Sequence, residues 1–233
     1  MGSIANIIKY GKKCKDEISF KNLSVKKLDF KKIIWPFRTL THPIQAFSEI
    51  KYEKRGSIAL SIIVLLLWFF SSIFSYLETG FIFNENRVED LKLINQFMSS
   101  SMIIILWTIS NWAICTLMDG EGWFKDIWIT SCYSVMPHVV TIIPIALISN
   151  VLVADEGAFV TILTTAVFIW MVLLMFIANT TVHQYTFKKS LFSMLLTIFG
   201  VLVLLLLAIL IASLFIEIWS FVKSIFDELV LRV

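Results

Sequence analysis

The chain has 233 residues, of which 58% are hydrophobic and 16% are charged, and its mean hydropathy is +0.84. An ordinary soluble domain carries about 25% charged residues, so this composition excludes one and indicates a membrane protein. The charge is unevenly distributed: 13 Lys or Arg against 5 Asp or Glu before Gly56 give +8, and 7 against 12 in the remainder give −5. A basic arm joined to apolar segments favours a membrane surface over nucleic acid as its partner.

Two segments precede the apolar part of the chain. Residues 1–32 are lysine-rich and weakly periodic, and they are predicted to form a basic cytoplasmic arm. Residues 33–56 combine apolar positions at helical spacing with two prolines, which predicts a short amphipathic helix lying in the membrane interface. Its aromatic and basic side chains are expected to reach headgroups and anionic lipid. The residues predicted to contact lipid are Trp35, Lys51, Lys54 and Arg55.

Residues 57–216 contain five uncharged stretches, each long enough to cross a bilayer as a helix. They are Ser57–Leu77, Phe97–Met118, Ile127–Ser149, Phe159–Ala178 and Leu191–Ile216. The first has 21 residues, about 32 Å as a helix, against a hydrocarbon core of about 30 Å. The fold class predicted is therefore all-α, a polytopic bundle of five transmembrane helices.

Loop charge predicts the orientation of the bundle. With the N-terminus inside, the inner segments 1–56, 118–126 and 179–190 carry 16 Lys or Arg, and the outer segments carry 4. The positive-inside rule thus places the N-terminus in the cytoplasm and the C-terminus outside. Most of this weight comes from the N-terminal arm.

The third stretch is predicted to be the central helix of the bundle. At 100° per residue, its polar and kink-forming residues fall within about a third of a turn. Such a face has no reason to meet lipid, so it is expected to face protein or water. The residues of this face are Thr130, Ser134, Pro137, His138, Thr141 and Pro144. For His138 two interpretations stay open, a proton-relay or partner-binding group and a structural group that satisfies local backbone.

Polar residues in two other spans indicate helix packing. Asn111 shares one side of the second span with Thr108 and Cys115, and interhelical hydrogen bonding is its expected role, with substrate contact as the alternative. In the fifth span, Ser193, Thr197 and Gly200 form a small-residue strip that permits close approach of a neighbouring helix. The sequence does not say whether that neighbour is internal or a second subunit.

The segment 217–233 is amphipathic and predicts a C-terminal helix, either a continuation of the fifth span or a separate element on the outer surface or on a partner. Trp219, Val222, Phe226 and Leu229 are the residues of its apolar face expected to contact a partner, and Val233 extends that face. Lys188 and Lys189, between the fourth and fifth spans, are topology determinants or a second docking surface.

No sequence motif predicts catalysis, and neither a cofactor nor a metal site is expected. The turn around Gly120 and Gly122 gathers Asp119, Glu121 and Asp126, but a tight turn followed by a helix start explains these residues better than a bound cation.

Five segments, in this order around five spans, resemble the bacterial branch of the Yip1 family. They are HPIQAFSEIKYEKRGS (42–57), GEGWFKDIWITSCYSVMPHVVTIIPIALISNVL (120–152), DEGAF (155–159), HQYTFKKS (183–190) and FVKSIFDELVLR (221–232). The resemblance covers about residues 33–232 and implies a five-span membrane protein without catalytic activity. Eukaryotic members bind Rab-type GTPases, but the DLYGP-type signature of that branch is missing here, so the role does not transfer.

The resemblance also implies a functional context, because bacterial members are often encoded beside carbohydrate ABC importers. The expected function is therefore a non-enzymatic accessory or scaffold subunit of such an importer, with ABC permease subunits and lipid as partners. The alternative is an autonomous protein that organises membrane through its interfacial helix. A small transporter or channel is a third interpretation, since Pro137 and Pro144 break the third helix.

Overall fold

The computed structural model describes residues 30–84 and 91–231, and these residues form helices joined by short connections. The basic arm up to residue 29 lies outside the described residues, as do Arg232 and Val233. The helices are α1 (Phe30–Thr41), α2 (Pro43–Tyr52), α3 (Ile58–Glu78), α4 (Leu93–Leu117), α5 (Phe124–Ser134), α6 (Met136–Ser149), α7 (Gly157–His183) and α8 (Phe187–Leu231), with a 3-10 turn at Ala154–Glu156.

Within the described residues, five helical segments are long and apolar enough to cross a membrane, so the predicted five-span all-α fold is confirmed. The first three spans begin and end within a few residues of the predicted limits. The last two are longer than predicted: the fourth continues past Ala178 to His183, and the fifth continues past Ile216 to Leu231. Helices are the expected solution here, since lipid offers no partners for backbone N–H and C=O groups.

The third span is the central helix, as its polar face predicts. In the most apolar stretch of 18 residues of the third span, 56% of the residues are buried. In the corresponding stretches of the fourth and fifth spans, 6% are buried. It is also broken at Val135, where α5 ends and α6 begins. Pro137 lacks an N–H and cannot bond the carbonyl of Tyr133 four residues earlier. The hydroxyl of Thr39, on α1, donates to the carbonyl of Pro36 at 2.6 Å and lies 3.5 Å from the carbonyl of Tyr133.

The segment predicted to lie in the interface forms a hairpin of two helices, α1 and α2, that packs against the bundle. Its inward face carries Trp35, Phe47 and Ile50, which join the hydrophobic core around Tyr133. Phe47 is completely buried. The amphipathic pattern correctly predicts helix in this segment, but the buried face of the hairpin meets protein rather than lipid.

The fifth span packs on the second through the predicted small-residue strip. A Cβ at Gly200 would collide with the side chain of Ser110 and come within 2.8 Å of Ile114 Cδ1. Ser110 also donates a hydrogen bond to the carbonyl of Thr197, at 2.8 Å. The neighbour of the strip is therefore α4 of the same chain.

Candidate functional site

Three of the segments that resemble the Yip1 family meet at one end of the bundle. Lys51 pairs with Glu121 at 3.2 Å, and Lys54 pairs with the buried Asp126 at 2.8 Å. A Cβ at Gly120 would lie 2.5 Å from His183 Nδ1. We call this end, formed by residues 42–57, 119–126 and 183–190, the motif end.

A buried polar cluster lies directly beneath the motif end, between α4, α7 and α8. Asn111 Nδ2 donates to Asn179 Oδ1 at 3.0 Å. Asn179 Nδ2 in turn donates to Ser193 Oγ at 2.8 Å and to Ser190 Oγ at 3.1 Å. The side chains of the cluster are all less than a tenth exposed. Its members are Asn111, Asn179, His183, Ser190, Ser193 and Thr197.

His183 connects this cluster to the glycine turn of the motif end. Its Nε2 lies 3.0 Å from Asn111 Oδ1, which can only accept, so Nε2 carries the proton and donates. Its Nδ1 has no hydrogen-bond partner among the described residues and faces Gly120 and Gly122. The imidazole is thus enclosed by polar groups on one side and by glycine backbone on the other.

Tyr185 fixes the turn from the neighbouring position. Its hydroxyl donates to the carbonyl of Cys115 at 3.1 Å and to the carbonyl of Met118 at 3.3 Å, while its ring stacks on His183. Burial raises the pKa of the Tyr185 phenol, so the group stays protonated and remains a donor. Both carbonyls lie at the C-terminal end of α4, and that of Cys115 also accepts the backbone N–H of Gly120 at 2.7 Å.

Tyr185→Phe is expected to lower the free energy of unfolding by about 1–2 kcal/mol, because the hydroxyl that bonds the carbonyls of Cys115 and Met118 is lost while the ring stays in place. Thermal unfolding of the purified protein in a mild detergent, followed by circular dichroism, measures the change. Tyr52→Phe is the matched control, since Tyr52 is exposed. Equal midpoints for the two variants would contradict this role of Tyr185.

The cavity beside the cluster is too small for an organic substrate. It offers about 10 Å³ for the centre of a water-sized molecule and is lined by residues of α4, α5 and α7, including Asn111, Thr130 and His183. That volume holds about one water molecule. The cluster therefore connects α4, α7 and α8 through hydrogen bonds, and it is not suited to bind an organic ligand.

The predicted polar face of the third span does not form one surface. Thr130, Ser134 and Thr141 each donate to a carbonyl of their own helix, four residues earlier. Thr130, Ser134 and Pro137 are buried, His138 and Thr141 are half-buried, and Pro144 is exposed. The break at Val135 interrupts the regular 100° progression that the prediction assumed.

His138 packs edge-to-face on Trp68 with ring centroids 6.1 Å apart, and its Nδ1 has no partner among the described residues. No second titratable side chain is placed against it there, so the arrangement resembles aromatic packing more than a proton relay. The histidine that does join a polar network is His183, which the sequence placed in a loop.

Of the residues predicted to contact lipid, Trp35 and Lys51 are buried and Lys54 and Arg55 are exposed, and all four contact other groups of the protein. Trp35 is buried in the core, and the guanidinium groups of Arg38 and Arg55 each lie 5.0 Å from its ring centroid. Lys51 forms an ion pair with Glu121, and Lys54 forms one with Asp126. The same pairs account for two carboxylates of the acidic turn, and the described residues contain no group of three side chains suited to a metal ion.

The residues predicted to contact a partner lie at both ends of α8. At the motif end, Lys189 Nζ lies 4.5 Å from the ring centroid of Tyr185, and Lys188 is exposed. At the other end, Trp219, Val222 and Phe226 are exposed, and Leu229 lies in the last turns of the same helix. No break separates residue 217 from the fifth span, so the tail is a continuation of that span.

Comparison with known families gives a match, which covers most of the five-span region. The Yip1 domain matches residues 37–216, which is more than half of the chain. The chain belongs to the Yip1 family. A search of curated proteins and a search of solved structures each found no match. The matched region of this Yip1 protein includes the motif end from Phe37 onward, the whole polar cluster and the α4–α8 contact, and it ends just before the C-terminal continuation of α8.

Sequence reasoning missed Asn179, Ser190 and Tyr185. The predicted fourth span stopped at Ala178, one residue before the asparagine that holds three helices together. The spacing of Asn179 and His183, four residues apart, was a usable signal, because such residues share a helix face. Ser190 extends the small-residue strip by three residues in the same way.

Proposed function

We propose that this Yip1 protein is a non-enzymatic membrane protein that acts by binding protein partners, as an accessory or scaffold subunit of a bacterial carbohydrate ABC importer. In this proposal it lies in the cell membrane with its N-terminus in the cytoplasm and its C-terminus outside. The observation that carries the proposal is the part of α8 that extends beyond the bundle. The importer itself is inferred from the family context.

The position of this extension follows from the pairing of α8 with α4. Ser110 contacts Thr197, and the two helices are antiparallel. Leu93, where α4 begins, is 17 residues before Ser110, and Leu214 is 17 residues after Thr197. Both helices rise by about 1.5 Å per residue, so the segment from Leu214 to Leu231 projects about 26 Å past the start of α4.

The extension carries an apolar stripe, and the members of this stripe up to Ile225 are exposed. Phe215, Ile218, Val222, Ile225 and Leu229 recur at alternating spacings of three and four residues, the pattern of a helix that packs along another helix. Every residue from Ile209 to Glu228 is exposed. The part of this stripe from Ile218 onward lies beyond the predicted end of the span at Ile216, and an apolar surface there favours a protein that covers it.

The extension is also poorly suited to lie flat on lipid. The helix contains neither Pro nor Gly between Val201 and Leu231, and it runs without a break from the span into the extension. A surface-lying amphipathic helix would need a bend where the span ends. This supports a protein partner over the membrane-organising alternative.

The stripe is expected to be necessary for assembly. Val222→Glu with Ile225→Glu places two charges on the stripe, whereas Ser224→Glu adds a charge at a position between them on another face of the helix. In a mild-detergent pull-down from the native membrane, wild type and Ser224→Glu should retain permease subunits in a fixed ratio. The double variant should lose them, because buried charges without partners oppose association.

The result that overturns the proposal is a wild-type protein that purifies alone while the importer is shown to remain intact in the same detergent. Lipid-dependent behaviour of that single protein would instead favour the membrane-organising alternative. Retention of the permease by all three proteins would support the importer and place its contact elsewhere.

A further inference from the structure

The α1–α2 hairpin lies at a definite depth in the bundle. Thr39 of α1 contacts the carbonyl of Tyr133, and Trp35 lies in the same part of the core. Tyr133 is six residues past Ile127, where the uncharged part of the third span begins. At about 1.5 Å per residue, this places α1 about 9 Å inside the uncharged layer. That depth matches the boundary between headgroups and acyl chains, where interfacial helices bury their apolar faces by about 5–10 Å.

The inward and outward faces of the hairpin are both apolar. The inward face is covered by the core, as described for Phe47 and Ile50. On the outward edge, Ile34 is 63% exposed, Phe37 is 51% exposed and Ile44 is 65% exposed. Ile34 and Phe37 are three residues apart and share one side of α1. Exposure of three large apolar side chains to water would be unfavourable, so at this depth we expect them to contact something other than water.

The described cations of the hairpin and of the turn after it all have partners within the protein. The four cations between Arg38 and Arg55 are each paired with a carboxylate. Arg38 and Arg55 both contact Glu49, at 3.3 Å and 3.6 Å, and the two lysines are paired with Glu121 and Asp126. These pairs weaken the attraction of residues 38–55 to anionic headgroups, and apolar contact remains as the interaction that holds the outward edge.

We propose that the outward edge of the hairpin, formed by Ile34, Phe37 and Ile44, inserts among the acyl chains of the leaflet at the motif end. Lipid is the occupant of this edge, and burial of apolar surface is the force that keeps it there. This surface replaces the predicted lipid contacts at Trp35, Lys51, Lys54 and Arg55. It goes beyond the proposed function, since it requires no protein partner.

The test measures where each edge residue lies relative to the membrane. Ile34→Cys, Phe37→Cys and Ile44→Cys are prepared separately in a Cys14→Ser background and spin-labelled; Cys115 and Cys132 are buried. Each purified protein is placed in nanodiscs of phosphatidylcholine, with or without phosphatidylglycerol. Collision rates of the label with oxygen, which concentrates in acyl chains, and with a water-soluble nickel complex are compared. Glu53→Cys, at an exposed polar position just after α2, is the matched control.

The expected result is a higher collision rate with oxygen than with nickel at the three edge positions, the reverse at position 53, and the same pattern in both lipid mixtures. Three outcomes overturn the proposal. Preferential nickel collisions would place the edge in water, and protection from both reagents would show that protein covers it. Insertion only when phosphatidylglycerol is present would show that charge holds the hairpin. Wild-type-like thermal midpoints establish that each labelled protein is folded, and three independent positions guard against failure of one variant.

Discussion

Replacing Asn179 by leucine is expected to lower the free energy of unfolding by roughly 2–4 kcal/mol, the largest effect of any single substitution in the polar cluster. Asn179 bonds side chains of α4 and α8 at the same time, through Asn111, Ser190 and Ser193. Leucine has the same number of side-chain heavy atoms and the same branch point but no polar atom, so the substitution removes bonds without creating a cavity. Asn111 and the two serines are then left with fewer partners at a buried site. Unfolding in a mild detergent, by heat or by a denaturing detergent, measures the loss.

Thr181→Val is the matched control for this experiment. Thr181 lies on the same helix, two residues away, and its hydroxyl donates to the carbonyl of Ile177 in that helix. Removing this local bond should change the free energy of unfolding by less than about 0.5 kcal/mol. If Asn179→Leu behaved like Thr181→Val, the cluster would not hold the spans together.

Gly120→Ala is the second substitution with a large expected effect, a loss of about 1–3 kcal/mol. The new Cβ would lie 2.5 Å from His183 Nδ1, 2.6 Å from the Tyr185 hydroxyl and 2.8 Å from the Cys115 carbonyl. One of these contacts is backbone, and the other two belong to side chains held by stacking and hydrogen bonds. The turn therefore cannot adjust without breaking the bonds that connect it to α4 and α7. Thermal unfolding in detergent measures the effect.

Gly157→Ala provides the comparison. It sits at the first position of α7, and its new Cβ would approach the ring edge of Phe83, an atom that a side-chain rotation can move. Alanine also favours the helix by reducing the freedom of the unfolded chain. The midpoint of this variant should stay close to that of wild type. A Gly120→Ala protein as stable as Gly157→Ala would show that the motif end is loosely packed.

The number and order of the spans could be predicted because they depend on long uncharged stretches, and the family resemblance added the same topology. For the hairpin, the sequence predicts an apolar face but not the surface that this face contacts. Phe47 and Ile50 lie at helical spacing, which predicts an apolar face, but a face that meets lipid and a face that meets protein have the same composition. Pairing of Lys54 with Asp126, 72 residues apart, also depends on the tertiary fold.

The polar groups inside the spans illustrate a second limit. The polar residues of the third span fall on one side only if the helix is unbroken. The break at Val135 changes which of these residues share a side. In the fourth span, hydropathy falls at Asn179 and His183, which suggested a loop. The helix continues because α4 and α8 supply the hydrogen bonds that water would otherwise provide.

The separation of the cluster's members along the chain has a consequence for how the protein is made. Asn111 enters the membrane with the second span, but Asn179 is 68 residues later and Thr197 is 86 residues later. At about 5–20 residues per second, the amide of Asn111 waits about 4–17 s for its last partner to be synthesised. Until then it is a polar group in lipid without its native bonds, a state that costs free energy and exposes the chain to recognition as incomplete. Synthesis of the fifth span therefore supplies the last hydrogen-bond partner of Asn111 and ends the period in which this amide lacks its native bonds.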